Sequence, residues 1–261
     1  MTGRPNEQAV EWLACAESPI YFIDRYCQIY DATERKWIPF KLWREQARTL
    51  IDMKDNRLVA ILKARQLGIT WLVLGFALWL MIFHPAVTVL LFSRRDTEAV
   101  YLLGEERLRG MYARLPKWMQ AREITVDSAH EWQLSNGSIA RAFPTSAGDS
   151  YTATLAIVDE ADLAPDLARL MNAVKPTIDG GGRMVMLSRS DNTRPDSMFK
   201  KVYKAAKAGL NGWKAVFLPW WVRPARDEAW YEAQKADIFS RTGSLDDLHQ
   251  QYPNNDIEAL S

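Results

Sequence analysis

The sequence predicts an α/β fold in which a mostly parallel central sheet is flanked by helices. Short strand-forming runs recur along the chain and alternate with helical patterns. Most of these runs are continuously apolar, which is typical of strands that helices cover on both faces. Hydrophobic residues make up 48% of the 261, so the chain can bury a sizeable core. The predicted strands are residues 58–62, 87–92, 155–158, 184–187 and 215–218.

The remaining elements follow from periodicity and from turn residues. Asn136-Gly137 in WQLSNGSIARAF favours a tight hairpin turn, so we expect an antiparallel element at the sheet edge. From about residue 221 the strand pattern stops and the sequence becomes helical and polar. We therefore predict a core at residues 1–220 and a helical lid or linker subdomain at 221–261. The predicted helices are residues 42–53, 70–83, 96–115, 198–207 and 227–239.

Charge and cysteine content restrict the function only weakly. A formal net charge of +1 neither indicates nor excludes a nucleic-acid partner. Cys15 and Cys27 lack metal-ligand spacing, and no apolar segment with a basic flank opens the chain, so we expect buried thiols in a reducing cytoplasm. The uncharged run ITWLVLGFALWLMIF is shorter than the roughly 20 residues that span a bilayer. It predicts a buried helix and no membrane partner.

The strand at residues 58–62 leads through a loop into a long helix, which is the geometry of a phosphate-binding loop. Helix N-terminal N–H groups favour a polyphosphate, and the Thr70 hydroxyl stands where such loops hold Mg²⁺. The pattern G-x-x-x-x-G-K-[ST] would require Lys at Ile69, so Lys63 or Arg65 could replace the missing ammonium. An ordinary strand-to-helix turn with surface cations is the alternative. The predicted ATP-binding residues of the loop are Lys63, Ala64, Arg65, Gln66, Leu67, Gly68, Ile69 and Thr70.

A second motif, TLAIVDEAD, places two carboxylates at the end of a buried strand. Ligands of open α/β sheets bind at the carboxyl ends of the strands. Asp159 could then hold Mg²⁺ together with Thr70, while Glu160 could polarise the water that attacks the γ-phosphate. The alternative is an acidic pair that caps a helix. Together the two motifs predict a Mg²⁺-dependent P-loop ATPase of the ASCE, RecA-like kind, with ATP as its nucleotide.

Two further segments carry candidate site residues. The strand in GGRMVMLSRS ends at Ser188, which could sense the γ-phosphate and couple hydrolysis to motion, or could simply cap a loop. In WIPFKLWREQ, Phe40 could stack on adenine and Gln46 could pair with the edge of the base. A core-facing aromatic cluster is an equal alternative for this segment.

Taken together, these motifs resemble the ATPase domain of the large terminase subunit of tailed bacteriophages. The resemblance spans nearly the whole chain, with WIPFKLWREQ as the adenine motif, KARQLGIT as a deviant phosphate loop, IVDEAD as the Walker B strand and LSRS as the coupling motif. The closing QYPNNDIEAL resembles the family's passage into a nuclease domain, marked by Tyr252-Pro253 and Glu258-Ala259. Nuclease activity is therefore expected only in a further C-terminal domain.

The resemblance implies a motor in which ATP hydrolysis drives viral double-stranded DNA into a capsid. It implies a homo-oligomeric ring, taken as a pentamer, which works in the host cytoplasm with the capsid portal protein and the small terminase subunit. DNA would be held without sequence preference by phosphate contacts. The lysines Lys200, Lys201, Lys204 and Lys207 could supply these contacts or form a solvated helix face.

The chain departs from the family pattern ahead of the Walker B strand. Where an arginine is usual, this sequence has Asp149-Ser150 before Tyr151. If a neighbouring subunit supplies a catalytic arginine, Arg141 on the predicted hairpin is the first candidate and Arg189 or Arg94 the next. Arg141 could equally be a solvated strand residue.

Two alternative functions remain open at this stage. Residues 159–162 spell the box of DEAD-type helicases, but no second nucleotide-domain half follows and the phosphate loop lacks Gly-Lys-Thr. A catalytically inactive module that docks on a portal or on DNA would also tolerate the deviant loop. Unwinding activity would favour the helicase, and a phosphate-release assay would separate the inactive module.

Overall fold

The chain folds around one large mixed sheet, as the sequence predicted. A computed structural model describes residues 5–120, 122–147 and 152–261. Eight strands form the sheet in the order β10-β3-β9-β8-β4-β7-β6-β5, and β1 with β2 forms a separate antiparallel hairpin. The strands are β1 Gln28–Asp31, β2 Lys36–Pro39, β3 Leu58–Lys63, β4 Thr88–Ser93, β5 Ile124–Asp127, β6 Glu131–Leu134, β7 Ile139–Pro144, β8 Leu155–Asp159, β9 Arg183–Ser188 and β10 Lys214–Leu218.

Strands β10, β3, β9, β8, β4 and β7 pair in parallel, whereas β6 and β5 continue the sheet antiparallel. The hairpin expected around Asn136-Gly137 is confirmed as the β6–β7 connection. Helices cover the sheet on both faces. They are α1 Pro5–Glu17, α2 Pro19–Tyr26, α3 Arg44–Asp55, α4 Ile69–Phe83, α5 Asp96–Leu103, α6 Leu108–Ala113, α7 Leu167–Asp179, α8 Met198–Lys207, α9 Glu228–Thr242, α10 Asp246–Gln251 and α11 Asp256–Leu260.

Two hydrophobic clusters explain why the central strands are continuously apolar. In β3, Val59 and Ile61 face the cluster that contains α4, whereas Ala60 and Leu62 face the cluster that contains α7 and α8. Successive side chains of a strand point to opposite faces, so a strand covered on both sides has no polar face. The same arrangement leaves polar groups only at the strand ends.

Helix α4 is the element that places the phosphate loop. Thirteen of its fifteen residues are buried, and it packs on the sheet on one side and on α2, α3 and α6 on the other. A helix that is apolar all round belongs in a protein interior when neighbours surround it. Across the ranges that the structure describes, no helix is both long and apolar enough to cross a bilayer.

One predicted helix is wrong, and several elements were missed. The expected single helix at residues 96–115 is broken into α5 and α6, because the chain turns at Gly104 before re-entering a helix at Leu108. Gly104 was the sequence signal for this break. The short hairpin β1–β2, the edge strand β5 and helices α1, α2 and α7 were not predicted. The strands have only four residues each, whereas the thirteen-residue α7 has buried residues at helical spacing that could have revealed it.

The C-terminal segment is helical, as expected, and it packs against the core. The Trp220 ring stacks on Tyr231 with their centroids 4.6 Å apart, and Leu248 is fully buried in the α4 cluster. The boundary at residue 220 stays a prediction. Because these side chains belong to the same cluster as α4, a movement of residues 221–261 relative to the core would have to break these contacts.

Candidate functional site

The phosphate loop connects β3 to α4 through two residues in the left-handed region. Gln66 has φ 60° and Gly68 has φ 69°. Glycine adopts this conformation at little cost, and a Cβ on Gly68 would lie 3.1 Å from Nε2 of Gln46. Gly68 is therefore required by the turn and by its close neighbour. The turn leaves the first N–H groups of α4 without intrahelical partners, as at any helix start, and these groups favour an anion.

The two motifs meet at one edge of the sheet. Strand β9 lies between β3 and β8, so the ends of β3 and β8 are only one strand apart. The Thr70 hydroxyl lies 3.3 and 3.4 Å from the two carboxylate oxygens of Asp159. Asp159 is 8% exposed, and burial raises its pKa to about 6, against the opposing effect of nearby Lys63. A nearly dry carboxylate held beside a hydroxyl is a good partner for a cation.

Glu160 follows Asp159 with a backbone conformation that is unusual for a non-glycine residue. Its φ is 56° and its ψ is 39°, and its N–H donates to Oδ1 of Asp159 at 3.1 Å. A left-handed residue other than glycine costs about 1 kcal/mol or more, so the surrounding structure holds it there. Glu160 is half-buried. With Thr70, Ser93 and Asp159 it lines a space of about 500 Å³, which we call the acidic cleft.

A second space adjoins the first along the phosphate loop. This loop cleft has a volume of about 660 Å³, and its walls are the loop, the β1–β2 hairpin and the residues that follow β2. Tyr30, Asp31 and Ile38 of the hairpin line it but were not found from the sequence, because nothing in a short hairpin of ordinary composition marks a binding wall. Both clefts include Thr70, which places it at their junction.

The two cations considered for the missing P-loop lysine have different surroundings. Lys63 is 9% exposed, lines the loop cleft and interacts electrostatically with Asp159. Arg65 is exposed, and its guanidinium donates to Oε1 of Gln251 at 3.0 Å, away from the cleft lining. Ile69, at the usual lysine position, is buried in the core. The geometry therefore favours Lys63 over Arg65.

The other predicted loop residues contribute backbone or packing. Ala64 and Leu67 are buried in the α4 cluster, and the Ala64 N–H donates to Leu218 O at 2.8 Å. Gln66 is exposed, and its side chain accepts a hydrogen bond from Arg226. Side-chain contact with a nucleotide is thus geometrically open to Gln66 but not to Ala64, whose methyl group is fully covered.

Gln46 and Phe40 lie on the wall of the loop cleft, but both already have roles in the fold. The Gln46 amide donates to Leu67 O at 2.9 Å and accepts from the Trp43 N–H at 2.9 Å. This pair of bonds joins the start of α3 to the phosphate loop. Phe40 is 2% exposed and belongs to the α4 cluster. Their predicted contacts with adenine stay predictions, and in this structure Gln46 positions the loop.

Ser188 ends β9 between the two motifs, in register with Leu62 of β3. Its hydroxyl and that of Ser190 are buried and have no hydrogen-bond partner within the described ranges. Buried hydroxyls are normally satisfied, so these two are free to bond to a water or a ligand group at the sheet edge. This placement is compatible with the coupling role predicted for Ser188, which is not tested.

A buried network beyond Glu160 was missed from the sequence. Asp162 is fully buried, accepts a hydrogen bond from the Asp191 N–H at 2.6 Å and from the Ser197 hydroxyl, and lies 4.0 Å from Nζ of Lys200. Lys200 also donates to Asp191 O at 2.9 Å. Burial raises the pKa of Asp162 and lowers that of Lys200. The network joins the loop after β8 to the loop after β9.

This network corrects one sequence-based expectation. Lys200 is 1% exposed, so it cannot touch DNA phosphates, because its ammonium is needed inside the protein. On the same helix, Lys201 and Lys204 are exposed, and Lys207 pairs with Asp256. Lys201 and Lys204 therefore remain available to a partner.

The candidate arginines lie in different settings. Arg141 is half-buried in mid-strand and forms an ion pair with Glu131 at 2.7 Å. Arg94 pairs with Glu98 at 3.0 Å, and Arg189 is half-exposed after β9. The segment in which the usual arginine is replaced by Asp149-Ser150 before Tyr151 lies outside the described residues. No contact in the described ranges links Arg141 to the acidic cleft, so its role could only be exercised on a neighbouring subunit.

Arg107 was missed by the sequence analysis, although the structure brings it to the site. Its guanidinium carbon lies 4.3 Å from the ring centroid of Trp71 and 4.6 Å from that of Tyr101. Arg107 lines both the loop cleft and the acidic cleft. Arg107 was not recognised because the sequence predicted an unbroken helix over residues 96–115. The break between α5 and α6 places Arg107 against Trp71 of α4.

The donor set fits Mg²⁺. Within the described ranges no group of three or more His, Cys, Asp or Glu side chains could hold a metal alone. Mg²⁺ is bound in phosphoryl-transfer sites by one or two oxygen groups of the protein together with substrate phosphates and water. The hydroxyl of Thr70 and the carboxylate of Asp159, already side by side, are such a pair.

The fold is similar to that of solved bacteriophage large terminase structures. The ATPase domain of the large terminase of Thermus phage P74-26 matches at a TM-score of 0.63 and 16% identity, over 82% of this chain and 93% of that one. The HK97 bacteriophage large terminase matches at 0.68 and 17%, over 91% of this chain and 54% of its own. The large terminase of a thermophilic bacteriophage, in complex with ADP, matches at 0.56 and 12%, over 74% and 50%.

These likenesses confirm the predicted fold class, a P-loop NTPase fold with a mostly parallel sheet flanked by helices. The chain spans about half the length of the HK97 protein that it matches. No protein-family model matches the chain, and no curated protein does either.

Proposed function

We propose that the chain is an ATPase that works as the motor of DNA packaging, as in a large terminase. The observation that carries the proposal is the meeting of Thr70, Asp159 and Glu160 in the acidic cleft, with Lys63 on the adjoining loop cleft and close enough to interact electrostatically with Asp159. The fold shared with terminase ATPase domains supports it, as does the ADP held by the terminase of the thermophilic bacteriophage. Phosphoryl transfer to water requires a loop that binds the phosphates, together with acidic side chains that bind Mg²⁺ and orient the water.

In the proposed reaction, the phosphate loop and Lys63 bind the triphosphate across the junction of the two clefts. Glu160 accepts a hydrogen bond from a water molecule and aligns it with the γ-phosphorus. The water oxygen forms a bond to phosphorus while the bond to the β-phosphate oxygen breaks, the released water proton passes to the Glu160 carboxylate, and ADP and inorganic phosphate leave. Bound between Thr70 and Asp159, Mg²⁺ would neutralise charge on the β- and γ-phosphates.

ATP hydrolysis would be coupled to motion through β9, the strand that lies between the two motifs. Loss of the γ-phosphate changes what the free Ser188 hydroxyl contacts, and the Asp162 network carries a shift of the β8 loop to α8. In a homo-oligomeric ring, such shifts would move double-stranded DNA towards a capsid portal. The ring, the portal, the small terminase subunit and the host cytoplasm belong to this proposal through the resemblance alone.

A phosphate-release assay with and without Mg²⁺ tests the proposal. We expect release that requires Mg²⁺, and we expect Glu160→Gln to retain nucleotide binding while hydrolysis falls by roughly 10² or more, because the general base is lost. Glu98→Gln is a suitable control, since Glu98 also lines the acidic cleft but pairs with Arg94.

Three outcomes separate the alternatives. A folded chain that binds no nucleotide would favour the inactive docking module. Hydrolysis that survives Glu160→Gln would remove the role assigned to that residue. Strand separation by the chain alone would favour the helicase.

A further inference from the structure

Arg107 is a partly buried cation that faces the nucleotide site. Its side chain lies between the rings of Trp71, in the first turn of α4, and Tyr101, on α5. Such stacking orients a guanidinium and leaves its edge N–H groups free to bond. Of its five donors, one bonds to a neighbouring carbonyl, Glu106 O at 3.2 Å, and the guanidinium also has a side-chain hydrogen bond with Tyr101, which leaves further N–H groups for a ligand.

The charge of Arg107 is not matched by an ion pair. Among the residues described, no carboxylate lies within 4.0 Å of its guanidinium nitrogens, and Asp159 and Glu106 attract it only from further away. Burial lowers the pKa of Arg107, but a guanidinium in a protein stays protonated, so the group remains charged. A desolvated cation without a close partner is expected to bind an anion when one enters the cleft.

The position of Arg107 selects one part of the nucleotide. The loop cleft contains the phosphate loop, whereas the acidic cleft contains the carboxylates that act on the reacting phosphate. Only a group near the terminal phosphate would touch both, and the residues described as lining both are Thr70, Tyr101 and Arg107. Two arginines at the loop already have partners, since Arg223 donates to Gln66 O and Arg65 donates to Oε1 of Gln251.

We propose that Arg107 binds the terminal phosphate of the bound nucleoside triphosphate from within the same chain. This inference rests on the proposed ATPase function and adds a residue to it. Arg107 and Lys63 together supply the positive charge that the phosphate loop lacks at Ile69. The break between α5 and α6 is then a functional feature, because an unbroken helix would not bring Arg107 over Trp71.

Binding of two nucleotides tests the proposal. Affinities for ADP and for ATPγS, both with Mg²⁺, are measured by titration calorimetry for the wild type and for Arg107→Ala. We expect ATPγS to bind about 10- to 100-fold more weakly to the variant, the range of one or two charge-assisted hydrogen bonds. ADP should change by less than about threefold, because it lacks the phosphate that Arg107 contacts.

Arg114→Ala is the matched control. Arg114 also lies over an aromatic ring, with its guanidinium carbon 3.7 Å from the Trp37 centroid, but it lines neither cleft. It should leave both affinities unchanged. Arg107→Lys, which keeps the charge and loses the planar fork, should weaken ATPγS by an intermediate factor and serves as the test if the alanine variant does not fold.

The results separate this inference from the function on which it rests. If the wild type binds neither nucleotide, the ATPase proposal fails. If it binds both, and Arg107→Ala weakens ADP as much as ATPγS or weakens neither, the assignment of Arg107 is overturned. If Arg107 acts within its own chain, Arg107→Ala should weaken ATPγS binding equally at every protein concentration. A loss of this effect on dilution into monomers would contradict action within one chain.

Discussion

Individual residues at the sheet edge combine strain, burial and unpaired groups. Glu160 has a left-handed backbone conformation, the Asp159 carboxyl group has a raised pKa, and the Ser188 hydroxyl has no hydrogen-bond partner within the described ranges. Each feature costs stability in the free protein, and a bound cation, phosphate or water would satisfy the buried carboxylate and the unpaired hydroxyl. Their concentration at one edge is the residue-level argument for a nucleotide site.

The first prediction concerns the two loop cations. Lys63→Ala should weaken nucleotide binding by about 10-fold or more, because a charge-assisted contact with the phosphates is lost. Arg65→Ala should change the affinity by less than about threefold, since the Arg65 guanidinium is bonded to Gln251. Titration with Mg²⁺–ADP measures both, and a larger effect of Arg65→Ala would reverse the assignment.

The second prediction concerns the thiols. Burial raises the pKa of Cys15 to about 12 and that of Cys27 well above its usual value. A raised pKa disfavours the thiolate, which is the reactive form, at every pH below it. At pH 8 the native protein should therefore resist a disulfide reagent such as DTNB, and both thiols should react in urea. Rapid reaction of either thiol without denaturant would show that the α1–α2 packing is open.

At the scale of elements, the loops after β8 and β9 act as one unit. Asp162 from the first loop bonds to Asp191 and Ser197 from the second, and Lys200 of α8 completes the network. Arg194 adds bonds to Asp162 O and Ala164 O at 2.9 and 3.0 Å. The site therefore depends on the relative positions of whole elements.

The third prediction tests this network. Lys200→Ala should lower the free energy of unfolding by about 3 kcal/mol, because it leaves Asp162 buried without its cation. Lys201→Ala, one residue along on the exposed face, should change it by less than about 0.5 kcal/mol. Urea unfolding measures both, and equal effects of the two substitutions would contradict the buried role of Lys200.

At the scale of the whole molecule, the C-terminal segment holds the phosphate loop from outside. Arg226 is 6% exposed, donates to Arg65 O at 3.0 Å and to Oε1 of Gln66 at 3.2 Å, and lies over the rings of Trp230 and Tyr252. The Arg65 N–H donates to Gln251 O at 2.9 Å. Residues far apart in the sequence thus set the shape of the loop.

The fourth prediction follows from this contact. Arg226→Ala should speed amide hydrogen exchange in residues 64–68 and weaken nucleotide binding, although Arg226 lines neither cleft. The reason is that the loop loses two hydrogen bonds and samples more conformations. Arg241→Ala, which removes an exposed pair with Asp237 on α9, is the control. Unchanged exchange in the loop would show that its shape does not depend on the C-terminal segment.

The local chemistry of the two motifs was legible in the sequence. Continuous apolar runs indicated a sheet covered on both faces. Gly68 and Thr70 followed one buried strand, and Asp159 and Glu160 stood at the end of another, which is the side of the sheet where ligands bind. The placement of Lys63 in the loop cleft and of Arg65 outside it, the burial of Lys200 and the approach of Arg107 to Trp71 could not be predicted in the same way. Each depends on which side chains other segments bring near.

By itself, the sequence determined the alternation of strands and helices and the order of the two motifs, because these follow from periodicity and from short-range turn chemistry. Only the tertiary structure decided which charged groups are desolvated and which face the cleft. The physical reason is that burial and electrostatic partners arise from contacts between distant segments, such as Thr70 with Asp159 or Arg226 with the phosphate loop. No local pattern encodes those distances.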